Sequence, residues 1–117
     1  KWFAAHLAYT MSKYGMSMCT LGLAEELKAK NIAVNSLWPK TTIATAAIQH
    51  NFPPEVYQAS RKPAIVADAA HYVLTQKSDA LTGQFLIDED VLKKSGEAGF
   101  EQYATTPGVP LFPDIFI

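Results

Sequence analysis

Residues 31–39, Asn31-Ile32-Ala33-Val34-Asn35-Ser36-Leu37-Trp38-Pro39, decide the architecture. Ile32 and Val34 are β-branched, Leu37 and Trp38 are bulky and apolar, and Pro39 has no N–H to give to a sheet. The stretch predicts a short strand over 32–38 that ends at Pro39. Asn31, in front of it, is a good helix stop. What stops there is long. From about Ala8 to Lys30, Met11, Tyr14, Met18 and Leu21 recur at spacings of three and four, and Leu23, Ala24 and Leu27 widen the stripe. A second stripe, Gly15, Cys19, Gly22 and Glu26, is small until its last member. An interior glycine costs about 1 kcal/mol relative to alanine, so two of them on one face point to close approach of another helix. The uncharged run from Tyr14 to Ala24 predicts a buried core helix with Cys19 packed inertly on the small face.

C-terminal to the strand, Pro39 to Pro54 reads as a long irregular connection with a short helix over 45–50. Pro63 then precedes a helix from Ile65 to about Gln76, with Ile65, Ala69, Tyr72 and Val73 inward. Leu81-Thr82-Gly83 is a turn into a second strand, where the continuous apolar run Phe85-Leu86-Ile87 suits burial on both faces. Strand, helix, strand with a crossover of this length is a parallel βαβ unit. Two parallel strands do not cover the helices on either side, so the chain is expected to be part of a larger α/β domain and not to fold stably alone. Residues 1–90 form that part. Residues 91–117, rich in glycine and proline, are expected to be an extended tail packing on it through Phe100, Tyr103, Leu111, Phe112 and Phe116.

Composition narrows the function classes. Ten Lys and Arg against eleven Asp and Glu, with no basic run, argue against a nucleic-acid surface. One cysteine excludes an internal disulfide and a multi-cysteine zinc site, and three scattered histidines give no metal signature. No apolar run approaches the roughly 20 residues a membrane span needs. These features fit an intracellular, cytoplasmic setting.

Within the first helix, Tyr9 and Lys13 stand four residues apart, close to one turn, and so share a face. Alone, the pair is either catalytic or merely an aromatic and a charge on one helix face. Its company matters: Tyr9-x-x-x-Lys13 on a helix, Asn35-Ser36-Leu37-Trp38-Pro39 at a strand end, Thr41-Thr42-Ile43-Ala44-Thr45 after it, and Leu81-Thr82-Gly83 before the last strand. This order, over residues 5 to about 90, resembles the C-terminal half of the classical short-chain dehydrogenase/reductases. The run 38–45 and the tail through Pro107-Gly108-Val109-Pro110-Leu111 look more narrowly like the hydroxysteroid dehydrogenase-like branch of that family.

The resemblance implies the C-terminal part of a Rossmann-like, doubly wound parallel sheet, incomplete in this chain. It implies an NAD- or NADP-dependent oxidoreductase that interconverts a small alcohol and a carbonyl by hydride transfer. Tyr9 would be the general acid or base, and Lys13 would assist it and hold the nicotinamide ribose. A tyrosine hydroxyl titrates near pH ~10, and a neighbouring ammonium favours the phenolate, so Lys13 is expected to lower that value. Pro39 and the backbone after it, with Thr41, would border the nicotinamide. Ile43 would offer its amide to the carboxamide, and Thr45 would lie near the carboxamide or pyrophosphate. The catalytic Ser and the Gly-rich turn would belong to the missing N-terminal half. The helix over 8–30 would pack against a second copy in a homo-oligomer. Two departures stand out: Lys40 replaces the usual glycine after Pro39, and the spacing from Pro39 to Thr45 is one residue longer than the common pattern. The alternative reading is a non-catalytic Rossmann-like binding or assembly module.

Overall fold

The structure is a computed structural model that describes residues 2–115. A one-turn helix α1 (Trp2–Ala5) leads into α2 (Leu7–Leu27), which a 3-10 turn extends over Lys28–Lys30. Asn31 closes it in the left-handed region at φ 56°, with its amide on the Lys28 carbonyl at 3.0 Å. There follow β1 (Ser36–Trp38), α3 (Ala46–Asn51), α4 (Pro54–Gln58), α5 (Ala64–Leu74), β2 (Phe85–Ile87), α6 (Asp88–Lys94) and a 3-10 turn over Glu101–Tyr103.

The two strands pair in parallel, Ser36 with Phe85, Leu37 with Leu86 and Trp38 with Ile87. They are shorter than the apolar runs suggested, because side chains take over the ladder at its start. Asn35 donates to the Leu81 carbonyl at 2.9 Å and accepts from the Gln84 amide at 3.0 Å, while the Thr82 hydroxyl accepts from the Val34 amide at 3.1 Å. Gly83 takes φ +67°, and a Cβ there would sit 3.6 Å from that of Ala24, so the turn into β2 lies close against α2.

The core lies on the other side of the sheet. Ile65 and Ala69 of α5 are fully buried against Leu86, Val91, Leu92 and Tyr103, with Tyr72 and Val73 packed beside them. The inner face expected of α5 is the one observed. The stretch after β2 differs from expectation. Residues 88–94 are a helix, with three acids in its first turn and Lys93 and Lys94 in its last, a charge order that the helix dipole favours. From Phe100 on the chain is irregular apart from the turn over Glu101–Tyr103; Phe100 and Tyr103 lie against the core, Phe112 is 48% exposed, and Phe116 lies outside the described residues.

The other correction concerns α2. Met11, Tyr14, Met18 and Leu21, expected inward, are 46–72% exposed, and Cys19 is exposed. The buried positions are Thr10, Thr20 and Ala24. Small and hydroxyl-bearing side chains let the helix lie near the sheet edge, where Thr20 and Ser36 share a hydrogen bond of 2.6 Å. The long apolar side chains fall on more open faces, where Tyr14 reaches the edge of Trp38 and Met18 and Leu21 border a shallow groove with Phe85 and Ile87. Phe85 likewise is 48% exposed rather than buried on both faces. No described helix is long and apolar enough to cross a membrane.

Candidate active site

The end of β1 and the N-terminal half of α2 enclose a cavity of about 350 Å³. Tyr9 and Lys13 enter it from the helix, Asn35 from just before the start of β1, Trp38 and Pro39 from its end, and Asp114 from the tail. The helical period brings the first two together, and the Thr20–Ser36 bond fixes helix against strand about two turns further on. Trp38 is a cavity wall, and the edge of its ring meets Tyr14, which stacks on Phe3 at 6.2 Å between centroids.

The electrostatics differ from expectation at Tyr9. The Lys13 ammonium lies over the Tyr9 ring, 5.3 Å from its centroid. There it is attracted by the π face. The Tyr9 hydroxyl is pushed above its ordinary value, first by burial and then by the Asp114 carboxylate. The downward displacement expected from Lys13 is not found, because burial and Asp114 dominate at the hydroxyl. Asp114 is itself pushed up by burial, against the opposing pull of the Ile115 amide and Lys13.

In the loop beyond Pro39, none of Thr41, Ile43 and Thr45 lines the cavity. Thr41 is buried, with its hydroxyl on the Thr42 carbonyl at 3.2 Å and its backbone bridged to Pro113. Ile43 packs on the core and bridges to Arg61, and Thr45 is the exposed residue that begins α3. The backbone of this loop is held from two sides. The amides of Thr42 and Ala44 donate to the carbonyls of Phe112 (3.0 Å) and Arg61 (2.8 Å), and the Arg61 amide donates to Thr42 (3.0 Å).

Sequence reasoning missed the charges behind the loop. Glu89 is 7% exposed and accepts from Lys40 at 2.7 Å, Arg61 at 2.7 Å and Lys93 at 2.6 Å. Burial alone would raise this carboxyl, but its three cationic partners hold it at about 2. Asp88 is fully buried and accepts from the amides of Lys40 (3.0 Å) and Glu89 (2.7 Å); burial pushes it up despite those bonds. The Asp88-Glu89-Asp90 run reads in sequence as a strand-end charge group. The signal available was the four-residue spacing from Glu89 to Lys93, but Lys40 and Arg61 are too distant in sequence for any pattern to join them.

No family model matches the chain. It is 54% identical over 116 residues to hydroxysteroid dehydrogenase-like protein 2 of Danio rerio, covering 99% of this chain and 28% of that one. The Homo sapiens protein of the same name is 53% identical, with 27% of it covered. The chain thus spans little more than a quarter of the curated relatives it matches. Among solved structures, a putative dehydrogenase from Xanthomonas campestris superposes with a TM-score of 0.90 at 46% identity, covering 99% of this chain and 42% of that one. A short chain dehydrogenase from Mycobacterium thermoresistibile gives 0.82 at 47% identity, covering 93% and 39%. Over its whole length the chain is related to hydroxysteroid dehydrogenase-like protein 2, and its α/β fold is part of the Rossmann-like fold of the short-chain dehydrogenases.

Proposed function

We propose that the chain is the substrate- and cofactor-facing part of an NAD- or NADP-dependent oxidoreductase that interconverts a small alcohol and a carbonyl. The observation that carries this reading is the cavity shared by Tyr9, Lys13, Asn35 and Pro39. The donor set suits a nicotinamide nucleotide: Lys13 offers an ammonium to ribose hydroxyls, and Trp38 and Pro39 offer an apolar wall to a flat ring. The backbone from Thr41 through Ile43 to Thr45 would border the same group. When bound, the nicotinamide would supply or accept the hydride. Tyr9, with its hydroxyl pushed up, is protonated at neutral pH, the form that donates to a carbonyl oxygen as it gains negative charge. Lys13 then stabilises the phenolate left behind. The open face of the same helix would join two copies through residues 8–30 in a homo-oligomer.

The test is Tyr9→Phe in the full-length protein. Turnover should fall by roughly 10²-fold or more while nucleotide affinity is kept, because the hydroxyl moves the proton and the ring only packs. Near-normal turnover would remove Tyr9 from the mechanism. One observation favours the second reading, a non-catalytic binding or assembly module: Lys13 sits over the ring, and the hydroxyl is displaced upward rather than down. That reading expects a parent protein that binds nucleotide and turns over no alcohol or carbonyl.

A further inference from the structure

Lys40 is the first residue beyond Pro39, at the rim of the Tyr9–Lys13 cavity, and all three of its polar groups are engaged. Its amide donates to Asp88 Oδ1 at 3.0 Å, its carbonyl accepts from the Asp114 amide at 3.1 Å, and its ammonium meets Glu89 Oε1 at 2.7 Å. Glu89 reaches the far end of the same loop as well. Its Oε2 binds Arg61 at 2.7 Å, and the Arg61 backbone exchanges hydrogen bonds with Thr42 and Ala44. One buried carboxylate therefore grips both ends of the segment 40–44, directly through Lys40 and indirectly through Arg61. Lys93, one turn along α6, holds the carboxylate in place at 2.6 Å.

We infer that Glu89 is a positioning residue for the loop after β1, with Lys40 and Arg61 as its two arms, and that this grip fixes the backbone of residues 40–45 in the shape it presents to a nicotinamide nucleotide. The nucleotide part of the inference rests on the function proposed above; the grip itself does not. A glycine at position 40 would leave the loop without its Glu89 arm. The lysine exchanges that freedom for an ion pair whose acid lies nearly out of water, where such a pair is less screened than on an open surface.

Glu89→Gln would leave Arg61 buried beside a weaker partner, and the protein could fail to fold. Lys40 has a side chain 41% exposed, so Lys40→Met removes one arm with the core intact. In the full-length protein, hydrogen exchange of the segment 40–45 should rise about fivefold in Lys40→Met, α5 should keep its protection, and Lys40→Arg should behave as the parent. NADH or NADPH, whichever the parent binds, should bind the Met variant several-fold more weakly. Unchanged exchange at 40–45, or a rise spread equally over α5, overturns the inference. Raised exchange with unchanged nucleotide affinity overturns its link to the nucleotide. A parent that binds neither nucleotide overturns the proposed function instead, while the exchange measurement still decides whether Glu89 grips the loop.

Discussion

The hydroxyl of Tyr9 stands between opposed charges. Lys13 is one helical turn away on the same face, and Asp114 enters the cavity from the tail. The lysine pair was legible because a spacing of four residues on a helix fixes direction as well as distance. Asp114 was not legible. It reaches the site because Pro113 bridges to Thr41 and Phe112 binds Thr42, a pairing of two irregular segments that leaves no periodicity in sequence. Its presence has a measurable consequence. Asp114→Asn should lower the pH at which Tyr9 ionises, read as the difference in phenolate absorbance between this variant and the same variant carrying Tyr9→Phe. Burial, the larger cause, remains, so the value should fall part of the way only. The linkage follows from the sign. A tyrosine raised in the folded state stabilises it fully below its unfolded value near ~10 and loses that contribution as pH rises through the folded value, so the asparagine variant should lose it at lower pH. An unmoved Tyr9 titration would show that Asp114 does not act on the hydroxyl.

Among the elements, α5 was readable and α6 was not, for related reasons. Eleven residues give three turns, enough for Ile65, Ala69, Tyr72 and Val73 to declare a face. Seven residues following a strand without a break give α6 too little pattern, although its acids and lysines stand in dipole order. The strands were overestimated because an apolar run reports burial and not ladder length; Asn35 and Thr82 side chains replace backbone partners before Ser36. Between α5 and the tail, the Tyr103 hydroxyl donates to Asp68 at 2.7 Å. Burial first, and then this bond and the charge of Asp68, push Tyr103 up to about 12. Tyr103→Phe should cost about 1–2 kcal/mol and lower Tm by a few degrees, with the ring still packed in the core. The parent should lose the contribution of Tyr103 as pH rises from its unfolded value of 10.0 through about 12, and the phenylalanine variant should lack that alkaline limb. Coincident pH–stability curves for the two would show that the bond contributes nothing.

On the scale of the whole molecule, the chain is a slab of 46 × 37 × 22 Å, and its thin dimension is about two helix diameters. A slab this thin buries one face of each helix, which is why the long apolar side chains of α2 lie outside while Thr10, Thr20 and Ala24 lie within. Hydrophobic periodicity found the right helix and the wrong inner face, since it locates apolar stripes but does not say which surface covers them. Met11, Met18 and Leu21 stay exposed at 66%, 72% and 53%, and the glycine stripe beside them is open: a Cβ at Gly15 or Gly22 would meet nothing within 4 Å. Small residues beside large apolar ones on one helix suit close approach of a second copy, and a two-fold axis would let this surface meet itself. Open space around Gly22 makes the test clean. Gly22→Leu adds a side chain that the chain's own packing does not feel, so a change in thermal stability of the protomer should be small. A partner helix packed on that stripe would be pushed away, because a filled interface tolerates added methylenes poorly. Sedimentation velocity of the full-length protein should then show the parent as an oligomer and the leucine variant shifted to smaller species. A parent that sediments as a monomer at micromolar concentration, or a variant that keeps the parent's size, would assign the open stripe of α2 to contacts within its own polypeptide.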